Sequence, residues 1–383
     1  MDDVLARAQI LFDSYQEVVR AELPAEAEIV DVHTHLGNDI DGMVGDFDEL
    51  ARIQQRAGIS TSFVFCLDEP DRHPGFRAAN DRTLAFAARA EGRLVPFVRL
   101  DLGEGPIEEA IRCLDRGARG IKLHPRAQKF LLDDDRLAPV FELAADRRVP
   151  ILIHGGRGLP PIADALARLV ERYDTTLIIA HAGIADLAAL AGHFSGRRGV
   201  FFDTSVWSPL DLLDLYRLVA PEQVLYASDY PYGSNPSSLL VALRTARLSG
   251  LDEPLVRELL GGSAKRIMAG EPPLEPTPPR GPDDLAQPIT FARIHQYLSM
   301  ATPLLWTRQA DTIGVLGLAL NACDERSNGY REETERIRDL LLAARDLWRA
   351  FPEAEDEAEK RRAARTAFRL LHLANIITVT AHA

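Results

Sequence analysis

The residues able to do chemistry begin at Glu28, in "EIVDVHTHLG", where Asp31, His33 and His35 recur at every second position. If this stretch is a β-strand, alternation of its side chains places all three on one face. A single histidine on an apolar strand is ordinarily a satisfied core residue. Two histidines beside a carboxylate offer adjacent nitrogens to a single cation, and imidazole is the commonest metal ligand among side chains. So short a motif needs partners elsewhere in the chain.

The elements that must bring such partners together are legible downstream. Short runs rich in β-branched and aromatic residues alternate with longer helix-periodic segments, the pattern of βαβ units and a parallel sheet. Eight strands are predicted: "EIVDVHTH", "STSFVFCL", "LVPFVRLD", "ARGIKLH", "VPILIHG", "TTLIIAHAG", "GVFFDTS" and "QVLYASD". Helices such as "DFDELARIQQRAG", "ANDRTLAFAARAEG", "IEEAIRCLDRG" and "PPIADALARLVERY" lie between them, several ending at a glycine suited to a C-cap. Eight compact β/α units, roughly 28 residues each, predict an α/β fold, a (β/α)8 TIM barrel over residues 28–270. Residues 1–27 precede it as a helical segment.

A barrel of this kind builds its active site from the C-terminal ends of its strands. Collected there are His33 and His35 on the first strand, Arg99 and Asp101 on the third, Lys122 and His124 on the fourth, His154 on the fifth, His181 on the sixth, Asp203 on the seventh and Asp229 on the eighth. Five of the chain's ten histidines thus fall at strand ends. Neutral imidazoles with a carboxylate suit Zn²⁺, and also Mn²⁺, Fe²⁺ or Co²⁺. An ion with one open position acidifies water from about 15.7 toward about 7, which makes a hydrolytic centre.

"DVHTH", "GIKLHP", "LIHGG", "AHAG", "SDYP" and "GGSAKRIM", in this order on successive strands, resemble the amidohydrolase superfamily. They are most similar to its amidohydrolase-related branch, which includes aminocarboxymuconate semialdehyde decarboxylase, and the resemblance spans about residues 28–270. It implies that His33, His35, His154 and Asp229 hold one divalent metal ion. It further implies that His181 orients water or shuttles a proton and that Asp229 is also the general base. The family has Asn where this chain has Ser263, a position expected to concern helix packing.

Lys122 admits three readings. Binuclear members of the superfamily carry a carboxylated lysine at the end of the fourth strand, bridging two ions, so a second metal bound with Lys122 and His181 is one. Arginine cannot take that role because it does not deprotonate, and only four of this chain's 44 basic residues are lysine. The others are a substrate contact and a structural ion pair. Arg99, His124 and Arg157 are candidates for binding an anionic substrate; a buried Arg99–Asp101 pair and a solvated Arg157 are the plain alternatives. Asp203 is expected to buttress a ligand histidine, and Asp31 to support the site from beneath. His73, His193, His295, His372 and His382 are expected at the surface or in packing.

Composition excludes several classes of function. The net charge is −13 and no long basic run occurs, so neither nucleic acid nor an anionic membrane is an expected partner. Cys66, Cys113 and Cys323 are odd in number and widely spaced, which argues against a disulfide framework. The first residues lack a signal-peptide pattern, and a cytoplasmic location is expected. The segment "EPPLEPTPPRGP" (271–282) has six prolines in twelve residues and reads as a linker or strap. Beyond it, about four helices are expected over 283–383, an all-α subdomain whose clearest member, 330–351, carries Ile337, Leu340, Leu341, Ala344, Leu347, Trp348 and Phe351 at helical spacing. That subdomain is expected to pack on the barrel or in a homodimer, or to serve as a lid. Two reactions compete: hydrolysis of an amide, ester or lactone in a small molecule, and decarboxylation of an aromatic or enoic acid.

Overall fold

The computed structural model describes residues 1–282, 285–306, 309, 312–324, 329–351 and 356–381. Nine strands form one sheet: β1 (Ile29–Asn38), β2 (Val44–Gly45), β3 (Ile59–Cys66), β4 (Leu94–Arg99), β5 (Gly120–Leu123), β6 (Ile151–Ile153), β7 (Leu177–Ile179), β8 (Val200–Asp203) and β9 (Val224–Leu225). All eight predicted strands occur where the apolar runs lie. Seven successive pairings, from β1 with β3 to β8 with β9, are parallel. The sheet closes because Val32 N donates to Tyr226 O at 3.0 Å and His35 N to Tyr230 O at 2.7 Å. Closure leaves a TIM barrel without open edges. The unpredicted β2 pairs antiparallel with the overhanging end of β1.

Alternation along β1 is broken. The step from Asp31 to Thr34 is matched by the shorter step from Ser62 to Val64 on β3, the mark of a β-bulge. Val30 and Val32 accordingly pack with Phe63, Phe97, Leu152, Ile178, Phe201 and Leu225, a cluster drawn from β1, β3, β4, β6, β7, β8 and β9 in the barrel interior. The expectation that Asp31, His33 and His35 follow one strict alternation is corrected by the bulge. On β5, Gly120 is required because a Cβ there would sit 2.3 Å from the Phe97 ring.

The predicted helices form at Phe47–Ala57, Arg77–Arg89, Pro106–Asp115 and Ala163–Tyr173. The first is capped at its start by the Asp46 carboxylate, which accepts from Glu49 N, and at its end by Gly58 in the left-handed region. Residues 271–282 run without regular structure along the base of the barrel, where Thr277 N and Oγ1 donate to the Glu222 carboxylate at 2.9 and 2.7 Å. The C-terminal region forms helices at Ile289–Trp306, Thr312–Cys323, Arg331–Ala350 and Glu357–Thr380. Their apolar faces, including buried Ile337, Leu340, Leu341, Ala344 and Leu347, join one continuous core with the N-terminal helix (Asp2–Glu22) and the outer helices of the barrel. No described helix is long and apolar enough to cross a membrane.

Candidate active site

The site forms where β1, β5, β8 and β9 end. His33 Nδ1 donates to Asp203 Oδ2 at 2.8 Å, which leaves His33 Nε2 as the ring's acceptor nitrogen. That nitrogen lies 3.4 Å from Asp229 Oδ1, and His35 Nε2 lies 3.3 Å from the same oxygen. These separations exceed those of a charge-assisted hydrogen bond. They match the edge of a tetrahedral site with ligands about 2.0–2.1 Å from the ion, an edge of about 3.3 Å. The donor set therefore fits a divalent cation.

Asp203 is saturated: besides holding His33, its Oδ1 accepts from His181 N at 2.8 Å and Ser205 N at 3.0 Å. It thus fixes one ring and one backbone turn together, the buttressing role read from its place on the strand. His181 Nδ1 donates to Ser205 O at 2.8 Å, so its Nε2 accepts from His154 Nδ1 at 3.0 Å. His154 Nε2 is then left buried without a hydrogen-bond partner. Gly156 lies against that ring, where a Cβ would be 2.8 Å from His154 Cε1. The His124 ring stacks on His154 with centroids 4.0 Å apart, while His124 Nδ1 accepts from Ala127 N. Of the four ligands the resemblance implies, His33, His35 and Asp229 converge within 4.8 Å of one another. His154 stands further round the ring of histidines and reaches that group through His181.

Lys122 is fully buried, with Nζ 3.3 Å from His33 Nε2 and 4.4 Å above the Phe65 ring. Burial pulls its ammonium down to about 7, against the raising influence of Asp203 and Asp229. Burial also holds His33, His35 and His124 well below the ordinary histidine range, keeping their rings neutral and able to coordinate. The Asp229 carboxyl is pushed well upward by burial, and Lys122 opposes that shift. Asp31 is raised to about 7 by burial even though its Oδ1 accepts from Ser228 N at 2.9 Å and His33 N at 3.2 Å. The bond from Ser228 ties the segment after β9 to β1 beneath the site.

Two of the site residues sit in left-handed backbone. His181 and Asp229 have φ of +56° and +58°, left-handed values that cost a residue with a side chain on the order of 1 kcal/mol or more. Asp229 is held there by its N–H to His33 O at 3.0 Å and by Gly233 N donating to Asp229 O at 2.9 Å.

Arg99 is 2 % exposed; Nη1 donates to Cys66 O at 3.2 Å, while Nε and Nη2 carry no hydrogen bond. Its nearest carboxylate is Asp68, 3.7 Å away, and not Asp101. The Arg99–Asp101 pair, the plain alternative to an anion-binding Arg99, does not form because β4 ends at Arg99, so alternation stops there and Asp101 turns back to accept from Gly103 N. Arg157 is 76 % exposed and pairs with Asp211 at 3.4 Å, outside the group of buried residues. His73, His193 and His295 bond Glu104, Asp164 and Asn375, and His372 is buried. His382 lies outside the described residues. Ser263 is buried with its hydroxyl 3.4 Å from Glu222 O, a packing position. Sequence reasoning missed Ser205, although "DTS" places it two residues beyond Asp203, and it missed Tyr230 within "SDYP".

Among solved structures, a 2,6-dihydroxybenzoate decarboxylase from Rhizobium is similar at 16 % identity and TM-score 0.51, over 63 % of this chain and 98 % of its own. An apo IDCase from Metarhizium anisopliae is similar at 16 % identity and TM-score 0.50, over 64 % of this chain and 98 % of its own. A putative amidohydrolase from Staphylococcus aureus gives 16 % identity and TM-score 0.50, over 63 % and 99 %. These likenesses bear on the fold. A search of curated proteins finds no match. The amidohydrolase family model matches residues 30–268, more than half the chain and the whole of the strand order described above, so this chain belongs to the amidohydrolase family and is an enzyme.

Proposed function

We propose that the enzyme is a metal-dependent hydrolase acting on an amide, ester or lactone carbonyl of a small anionic substrate. The observation that carries this reading is the approach of His33 Nε2 and His35 Nε2 to Asp229 Oδ1 at 3.4 and 3.3 Å, with His33 Nδ1 already committed to Asp203. His33, His35 and Asp229 would hold the ion, and His154, whose Nε2 is unpartnered, is the fourth donor that the resemblance implies, one position further round the ring of histidines. The ion, Zn²⁺ by donor type, supplies Lewis acidity and an acidified water. Asp229 takes the proton from the attacking water and returns it to the leaving group. His181, fixed by Ser205 O and Asp203, orients that water. Arg99 offers two unbonded N–H groups to a substrate carboxylate, with His124 and Lys122 lining the approach.

The same Arg99 groups favour a second reading. A carboxylate anchored between Arg99 and Lys122 is also a carboxylate placed for loss as CO₂, so decarboxylation of an aromatic or enoic acid is the alternative.

Elemental mass spectrometry of the purified protein tests the metal. About one Zn²⁺ or Mn²⁺ per chain, lost in Asp229→Ala and kept in Lys122→Ala, supports a mononuclear centre. Two ions per chain, falling in Lys122→Ala, indicates a binuclear hydrolase with a bridging lysine. No ion under any loading condition sinks the reading. With a carboxylate-bearing substrate panel, ¹⁸O incorporation from labelled water identifies hydrolysis, and CO₂ release without incorporation identifies decarboxylation.

A further inference from the structure

The helix Glu357–Thr380 belongs to no β/α unit, yet it reaches the catalytic face of the barrel. Arg365 Nη2 lies 3.3 Å from Glu49 Oε2, and Arg369 Nη1 lies 3.5 Å from Glu49 Oε1. Arg365 Nη1 also donates to Val44 O, on the strand β2 that pairs with the overhang of β1. Glu49 in turn faces the Tyr230 hydroxyl, which is 3.1 Å from Glu49 Oε2 and 3.0 Å from the Asp46 carbonyl, either of which accepts its proton, and which accepts from Asp46 N at 3.1 Å. Tyr230 is buried and follows Asp229 directly. Its carbonyl accepts from His35 N at 2.7 Å, and its N–H donates to Ser228 Oγ at 3.1 Å.

We propose that the C-terminal helix is a working part of the metal centre: through Arg365, Arg369 and Glu49 it holds Tyr230, and with Tyr230 the left-handed turn that aims Asp229 at His33 and His35. A strained backbone persists only where its surroundings over-determine it, and the φ of +58° at Asp229 is such a case. Backbone bonds fix one side of the turn. The Tyr230 side chain fixes the other, and its anchor is a carboxylate that the barrel supplies and the C-terminal helix holds in place. Glu49 and Tyr230 are positioning residues in this scheme, touching neither ion nor substrate. Groups that orient ligands from outside typically alter metal affinity about 10- to 100-fold, and Tyr230 acts through the backbone, so about tenfold is expected.

The proposal rests on the metal reading above, and the test separates the two. Full-length apo-protein is titrated with Co²⁺, read by its visible d–d spectrum, and with Zn²⁺ in competition with a chromophoric chelator. Tyr230→Phe removes only the hydroxyl; Glu49→Ala removes the anchor; Glu49→Gln keeps an acceptor oxygen at the same place. Leu340→Ala, in the apolar core of the helical region and making none of the polar contacts to Glu49, is the stability control. The expected result is about tenfold weaker Co²⁺ and Zn²⁺ binding with an altered Co²⁺ spectrum in Tyr230→Phe and Glu49→Ala, substantial rescue in Glu49→Gln, and wild-type affinity in Leu340→Ala despite its lower Tm. Wild-type affinity and spectrum in Tyr230→Phe overturn the positioning role while leaving the metal centre intact. A wild-type protein that binds neither ion overturns the metal reading and the proposal with it.

Discussion

The mouth of the barrel and the helical region beyond residue 283 bury side chains of opposite kinds. The mouth encloses Asp31, His33, His35, Arg99, Lys122 and Asp203, each almost wholly removed from water, and places Asp229 and His181 in left-handed backbone. The helical region encloses Leu340, Leu341, Leu347, Leu370, Leu371 and Ile376 in ordinary helix. Buried titratable groups and strained turns oppose folding, whereas buried aliphatic groups drive it. The contrast teaches that the appended helices supply apolar burial to a chain whose functional end uses desolvation for other purposes. The two regions meet at Glu49 and at Trp207, where the His372 ring stacks 6.0 Å from the indole.

The sharpest break of this contrast is Asp229→Asn. It removes a charge that burial disfavours and keeps a residue type that tolerates left-handed backbone. Essentially complete loss of bound metal and of activity is expected, with a Tm at or above that of the wild-type apo-protein; a large fall in Tm would show that Asp229 is chiefly structural. The converse is Leu340→Ala, expected to cost about 2–5 kcal/mol in denaturant unfolding while metal stoichiometry stays unchanged.

A third test joins the regions through pH. Burial lowers His372 from an ordinary 6.5 to about 4. The folded state therefore binds fewer protons than the unfolded chain between these values. This contribution is fully present above about pH 6.5, declines as pH falls, and reaches about 3 kcal/mol lost near pH 4. In His372→Phe, which preserves an aromatic ring against Trp207, the stability curve between pH 6.5 and 4 should be flatter than in the wild type; parallel curves would refute the burial argument. The smallest effect is expected from Asp203→Ala, which frees His33 Nδ1 and should weaken metal binding about 10- to 100-fold. Isothermal titration with Zn²⁺ measures it, and unchanged affinity would mean that neighbouring packing alone orients His33.

Much of the fold was legible because its signals are local. Runs such as "LVPFVR" and "ILIH" bury both faces and so read as continuous apolar strands, and the order of eight such runs fixes a barrel. Lys122 drew notice as one of few lysines, and Asp203 as a strand-end carboxylate. Proximity to a ligand strand points Arg157 at the site, and strand alternation points Asp101 there. Both turn away, because a loop arginine finds Asp211 and a strand that ends at Arg99 no longer dictates facing. The bulge in β1, the two-residue β2 and the link from Glu49 to Tyr230 had no local signal. Each is set by a partner distant in sequence.

The sequence alone determined the strand order, the helical appendage and the collection of histidines, carboxylates, Arg99 and Lys122 at strand ends, because periodicity and residue chemistry act over a few residues. Only the tertiary structure decided which nitrogen of His33 is spent on Asp203, that His181 stands between His154 and His33, and that Arg369 on the C-terminal helix reaches Glu49. Those are distances between atoms on different elements, and closure of the barrel and docking of the helices are what fix them.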